Sequence, residues 1–194
     1  MEKIKTKQKI LNTALQLFNI QGIEYIGTRN IADEMKLDIG YITGHFTKKE
    51  YIVNALSWQF SEKNSALWNT KQALDYKNFF DLLKNYFHLQ LEYRCLFISL
   101  AHLHTHQPEI AERTKKEELQ RKNIIKASFY EMMKNGELKK ISPTQIDFLT
   151  NTILLILKSW ISEVVISFPK KSEKTQIKFF LEMIEGVMMC DKQP

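Results

Sequence analysis

The run Thr28-Arg29-Asn30-Ile31-Ala32, followed by Leu37, Gly40, Ile42, His45-Phe46 and Lys49-Glu50, constrains this chain more than any other feature. Ile31, Ala32 and Met35 share one face of a helix that starts near Thr28, with Gly27 or Thr28 at its N-cap. Asp38 can cap a further short helix, about Ile39 to His45, which Ile42 and Phe46 anchor inward. Before them, residues 7–20 place Ile10, Leu11, Ala14, Leu15, Leu17 and Phe18 on one broad apolar face, and Gly22 sits where a left-handed cap would end that helix. Two short helices joined by a tight turn, laid on a first helix, form a helix-turn-helix, a unit that puts its second helix in a DNA groove.

A chain of 194 residues that is 44% hydrophobic can bury a substantial core. Four prolines and six glycines are too few for a linker-rich or all-β chain, and apolar residues recur at i, i+3, i+4 from end to end, so the fold class is all-α. The net charge of +6 favours a polyanionic partner. It is not concentrated in the head, where residues 1–50 carry eight Lys and Arg against six Asp and Glu. The local excess lies in Lys3, Lys5, Lys7 and Lys9. Cys95 and Cys190 have no CxxC or ligand-like spacing, which argues against a disulfide scaffold or a cysteine zinc site and fits a reducing cytoplasm. No apolar segment follows the first lysines, and the most apolar run, Ile153 to Ile166, is interrupted by Lys158 and Glu163, so neither a signal peptide nor a membrane span is expected.

Nine helices are expected: the three of the head, a connector over about 48–68, and others over about 76–94, 96–106, 108–135, 144–167 and 173–190. Pro108, Asn135-Gly136, Ser142-Pro143 and Pro169 mark the breaks. The expected division is a DNA-binding head, residues 1–50, and a helical ligand-binding and dimerisation domain, residues 51–194. With Ile42 inward, Gly40 and Gly44 face outward, flanked by Tyr41 and Thr43. A helix so bare can approach a groove floor while Ile39, Tyr41 and Thr43 reach base edges and thymine methyls. Lys49, at the start of the fourth helix, and Lys48 beside it are expected on the phosphate backbone, as are the first lysines along a neighbouring backbone or minor groove.

These residues resemble the tetracycline-repressor (TetR) family of one-component bacterial regulators over about residues 7–56. Phe18, Gly22, Arg29, Ile31-Ala32, Gly40, Ile42, His45-Phe46 and Lys49-Glu50 fall in register with its pattern. The resemblance implies Thr28 and Arg29 near phosphates, Ile39, Gly40, Tyr41 and Thr43 in the major groove, Lys49 on the backbone, and His45 packing beside Phe46 as well as meeting DNA. It also implies a dimer on a palindromic operator and a small-molecule effector. The chain departs from the pattern at Gly27, where threonine is usual, at Lys36, where the turn usually has glycine, at Asp38, where serine is usual, and at Thr43-Gly44, where aromatic residues are common.

The last two helices are apolar most of the way round, which calls for cover on both sides and hence a second subunit. Ile153, Leu157, Trp160, Ile161, Val164, Phe180, Ile184 and Val187 are the candidate interface residues. Tyr86, Gln90, Tyr93, His102 and Trp160 join apolar bulk to a hydrogen-bonding tip and are the candidate ligand contacts. His102, His104 and His106 read as exposed polar residues before Pro108, not as a metal site, and no cofactor is expected. The leading function is a homodimeric transcriptional regulator, a repressor released from its operator by a small, largely apolar effector. The alternative is a helical ligand- or partner-binding protein with a degenerate head. An enzyme finds no phosphate loop, nucleophile elbow or HExxH in this sequence.

Overall fold

The computed structural model describes residues 2–70 and 72–189, with side chains from Lys5 onward. Cys190 and the Lys3 side chain lie outside the described residues. Ten helices and no strand are found among the described residues: α1 (Glu2–Gln21), α2 (Thr28–Met35), α3 (Ile39–Thr43), α4 (Lys49–Trp68), α5 (Tyr76–Glu92), α6 (Arg94–Ile98), α7 (Leu100–His106), α8 (Pro108–Lys134), α9 (Pro143–Ser167) and α10 (Glu173–Met189). The fold is all-α, as expected. The single helix expected over 96–106 is instead two, broken at Ser99, and α3 stops at Thr43, short of His45.

The chain divides into two compact units. The first comprises residues 1–62 and 93–111. Its core is Ile10, Ala14 and Phe18 of α1, Ile31 and Ala32 of α2, Ile42 of α3, and Ile52 and Leu56 of α4, all essentially inaccessible. Gly22, at φ +94°, ends α1 and donates its N–H to the Phe18 carbonyl at 2.9 Å, the left-handed cap its position implies. The same end of α1 holds α6: the Asn19 side chain accepts the Cys95 N–H at 3.0 Å, and its carbonyl accepts the Arg94 Nε at 2.7 Å.

The second unit comprises residues 63–92 and 112–194. Here α5, α9 and α10 pack together through Phe87, Trp160 and Phe180, with ring centroids 4.7 Å apart for Phe87–Trp160 and 5.6 Å for Trp160–Phe180. Gly136, at φ +74°, closes α8. Ser142 caps α9 reciprocally with Gln145, with Pro143 at the first helical position. Despite Lys158 and Glu163, α9 is long and apolar enough by composition alone to cross a membrane. Its stripe from Ile146 to Val164 is buried and forms the core of this unit.

Candidate nucleic-acid interface

The turn between α2 and α3 is built from two interlocking caps. Lys36 adopts φ 55°, ψ 43°, the left-handed conformation that this turn requires and that glycine usually supplies. It closes a Schellman arrangement in which its N–H donates to the Asp33 carbonyl and that of Leu37 to the Ala32 carbonyl, both at 3.0 Å. Two residues later Asp38 caps α3, its Oδ1 accepting the Gly40 N–H at 2.6 Å. The carboxylate that replaces the usual serine is thus engaged inside the turn. At the other end Gly27 caps α2, its N–H donating to Asn30 Oδ1 at 2.9 Å, and Thr28 becomes the first helical residue.

On this frame Ile42 is fully buried and Phe46 nearly so, while Gly40 and Tyr41 are exposed and Ile39 and Thr43 half-buried. Tyr41 is held from two sides: its hydroxyl donates to Thr6 Oγ1 at 3.3 Å and its ring meets His45 edge-on at 5.4 Å. The Thr43 hydroxyl turns back onto the helix, within 3.2 Å of the Ile39 carbonyl and 3.3 Å of the Gly40 carbonyl. His45 is half-buried. Arg29 and Lys48 are exposed, and Thr28 is half-buried at the start of α2, where N–H groups of the first turn are available to a phosphate.

Two expectations change in detail. Lys49 does not point freely outward: its Nζ donates to the Ile23 carbonyl at 2.9 Å and ties α4 to the α1–α2 turn. Sequence position located it at a helix terminus but could not give the direction of its side chain. The first lysines stand on a helix that begins at Glu2, earlier than the expected 7–20. Lys7 lies over the Phe46 ring, 5.6 Å from its centroid, while Lys5 and Lys9, one turn apart, are exposed.

The ligand candidates divide between the two units. Tyr86, Gln90 and Trp160 meet in the second unit and are fully buried, with Trp160 Nε1 donating to Gln90 Oε1 at 2.7 Å and Gln90 Nε2 to the Leu157 carbonyl at 2.8 Å. Tyr93 and His102 belong to the first unit, Tyr93 buried edge-on to Phe60 and His102 exposed beside His106. Among the described residues no group of three or more side chains is placed to hold a metal ion. A buried polar cluster escaped the sequence reading: Arg121 sits 3.7 Å from Glu117 and 3.4 Å from Asn64, over the Tyr86 ring. Burial pushes the Tyr86 hydroxyl above its ordinary range. The available signal was Glu117 and Arg121 one turn apart on the inward face of α8.

The interface candidates also need correction. Ile153, Leu157, Trp160, Ile161, Val164, Phe180 and Ile184 are buried in the second unit, and Val187 is half-buried. The apolar residues these helices leave exposed are Phe148, Leu155, Val165 and Ile166 on α9 and Phe179 and Met183 on α10. Periodicity shows that a helix is apolar on several sides, not which side its own chain covers.

A three-helix head with a capped helix-turn-helix and a larger helical body are the parts of a DNA-binding transcriptional regulator. The chain belongs to the TetR family of bacterial transcriptional regulators. Residues 10–56 match the family described as bacterial regulatory proteins, tetR family, and residues 59–188 match the one described as bacterial transcriptional repressor. No curated relative matches the sequence. Among solved structures, a TetR-family transcriptional regulator from Marinobacter aquaeolei VT8 is similar, with a TM-score of 0.86 and 17% identity over 97% of this chain and 91% of that one. The MbdR regulator from Azoarcus sp. CIB aligns at 0.71 and 16% identity over 92% and 96%. GusR from Salmonella enterica aligns at 0.63 and 16% identity over 98% of both chains. At these identities the likeness is one of fold.

Proposed function

We infer that this TetR-family regulator is a cytoplasmic, dimeric repressor without enzymatic turnover, which reads a palindromic operator and is released from it by a small effector held in the helical body. The observation that carries the reading is the edge of α3 formed by exposed Gly40 and Tyr41 beside half-buried Ile39, set on a turn capped at both sides. Gly40 lets the helix backbone approach a groove, and Tyr41, steadied by Thr6 and His45, offers a ring and a hydroxyl to base edges. Thr28, Arg29 and Lys48 supply phosphate contacts that fix register without reading sequence. Lys36 and Asp38 depart from the family's usual residues yet complete the turn, which argues against a degenerate head. Release requires an effector that binds the DNA-free state more tightly, because one that bound both states equally would shift nothing.

The test is selection of bound sequences from a random duplex pool at moderate salt. An enriched palindrome is expected, with Tyr41→Ala changing the preferred sequence and Lys48→Ala weakening all sequences alike and lowering the salt dependence. A dimer that prefers no sequence over the random pool would end this reading.

A further inference from the structure

An apolar groove that lies wholly in the second unit runs between α5 and α10, with a volume of ≈ 380 Å³. The two helices lie antiparallel, since the Tyr76 hydroxyl at the start of α5 donates to Glu185 near the end of α10. Phe80, Ile177 and Leu181 make an apolar floor. Phe80, Lys84 and His88 are successive one-turn neighbours on α5, so the groove extends about 12 Å, the length of a chain of roughly eight to ten carbons.

Charge is distributed unevenly along it. The antiparallel arrangement puts Lys84 and His88 with Lys174 toward one end and Glu185 toward the other, beside Phe80, with Lys178 and Glu182 paired between them. Both acids are engaged: Glu185 accepts the Tyr76 hydroxyl, and Glu182 pairs with Lys178 at 3.5 Å. Lys84 and Lys174 have no acidic partner among the described residues. The groove therefore has an apolar length and one end of unmatched positive charge. It opens on the side of α10 away from Phe179 and Met183, so self-association through that apolar face leaves it accessible. On α5 it lies across the helix from the buried Tyr86 and Gln90.

We propose that this groove binds a small amphipathic anion, an aliphatic or aryl carboxylate, with the carboxylate between Lys84 and Lys174 and the apolar body along Ile177 and Leu181 toward Phe80. The site stands apart from the reading of DNA, and its test involves none. The full chain is titrated calorimetrically with decanoate and, separately, with decanol, below the concentration at which either aggregates. Decanoate should bind saturably, and decanol about fivefold more weakly, the scale of two partly exposed charge contacts. Lys84→Ala with Lys174→Ala should bring decanoate down to the level of decanol and leave decanol unchanged. Leu181→Trp, which fills the floor, should weaken both. Unaltered circular dichroism shows that the exposed lysine changes leave the fold intact. The proposal is overturned if decanoate fails to saturate, if the two ligands bind equally, or if neither variant alters decanoate binding.

Discussion

Gly40 occupies a position where its lack of a side chain serves the turn as much as any groove. A Cβ there would lie 2.8 Å from Asp38 Oδ1, the atom that accepts the Gly40 N–H. Gly40→Ala therefore gains helix propensity, about 0.5–1 kcal/mol, but forces the carboxylate off its cap, a loss of about 1 kcal/mol. The two nearly cancel in the native sequence. In an Asp38→Ala background no cap remains to lose, and the same change should stabilise the protein by about 0.5–1 kcal/mol. Chemical denaturation of the four proteins in the cycle gives the coupling, and additive effects would refute this account of the turn. Lys36 is the reverse case, a side chain where glycine would suit, at φ 55°. Lys36→Gly should raise stability by about 1 kcal/mol, and a loss in the same denaturation series would mean that the lysine contributes something the backbone geometry does not show.

At the scale of elements, how far the sequence could be read depended on how locally each helix is determined. Gly22, Asp38, Asn135-Gly136 and Ser142-Pro143 punctuate the chain through residues next to the break, and α1, α3, α8 and α9 begin or end beside them. The break at Ser99 has no such marker. Cys95 and Arg94 are held by Asn19, more than seventy residues away, so α6 is positioned by α1 and not by its own residues. The same distant contact buries Cys95. Burial pushes its thiol up to about 12, well above the ordinary range, and backbone N–H groups and Arg94 offset this only in part. At pH 8 almost no thiolate exists there, and a maleimide should leave Cys95 unlabelled in the native protein yet modify it fully in denaturant, as read by peptide mass spectrometry. Rapid native labelling of Cys95 would mean that α6 opens readily from α1. The helix-turn-helix residues were legible for the opposite reason, since spacing alone fixes which way Gly40, Tyr41 and Ile42 face. The directions of Lys49 and the α9 side chains depend on packing that spacing does not encode.

For the molecule as a whole, the proposed dimer turns on which face of α9 a second copy would cover. Phe148, Thr152, Leu155, Ser159, Ser162 and Ile166 follow one another at alternating steps of four and three, the spacing of a seam that a neighbouring helix can fill with interlocking side chains. On α10, Phe179 and Met183 are followed by Gly186, beside which an added Cβ would meet nothing in its own chain, so a partner helix can come close. Leu155 and Leu157 make a sharp comparison: they are two residues apart, 62% and 2% exposed. Leu157→Lys puts an unpaired charge in the core and should prevent folding. Leu155→Lys should leave the circular dichroism and the thermal transition at low protein concentration unchanged, yet shift sedimentation from dimer to monomer. A monomer holds only one reading head, so binding to a two-half-site duplex should fall on the order of a hundredfold, while binding to a single half-site stays as it was. A Leu155→Lys protein that still sediments as a dimer would move the interface off this seam and leave the exposed stripe on α9 to some other partner.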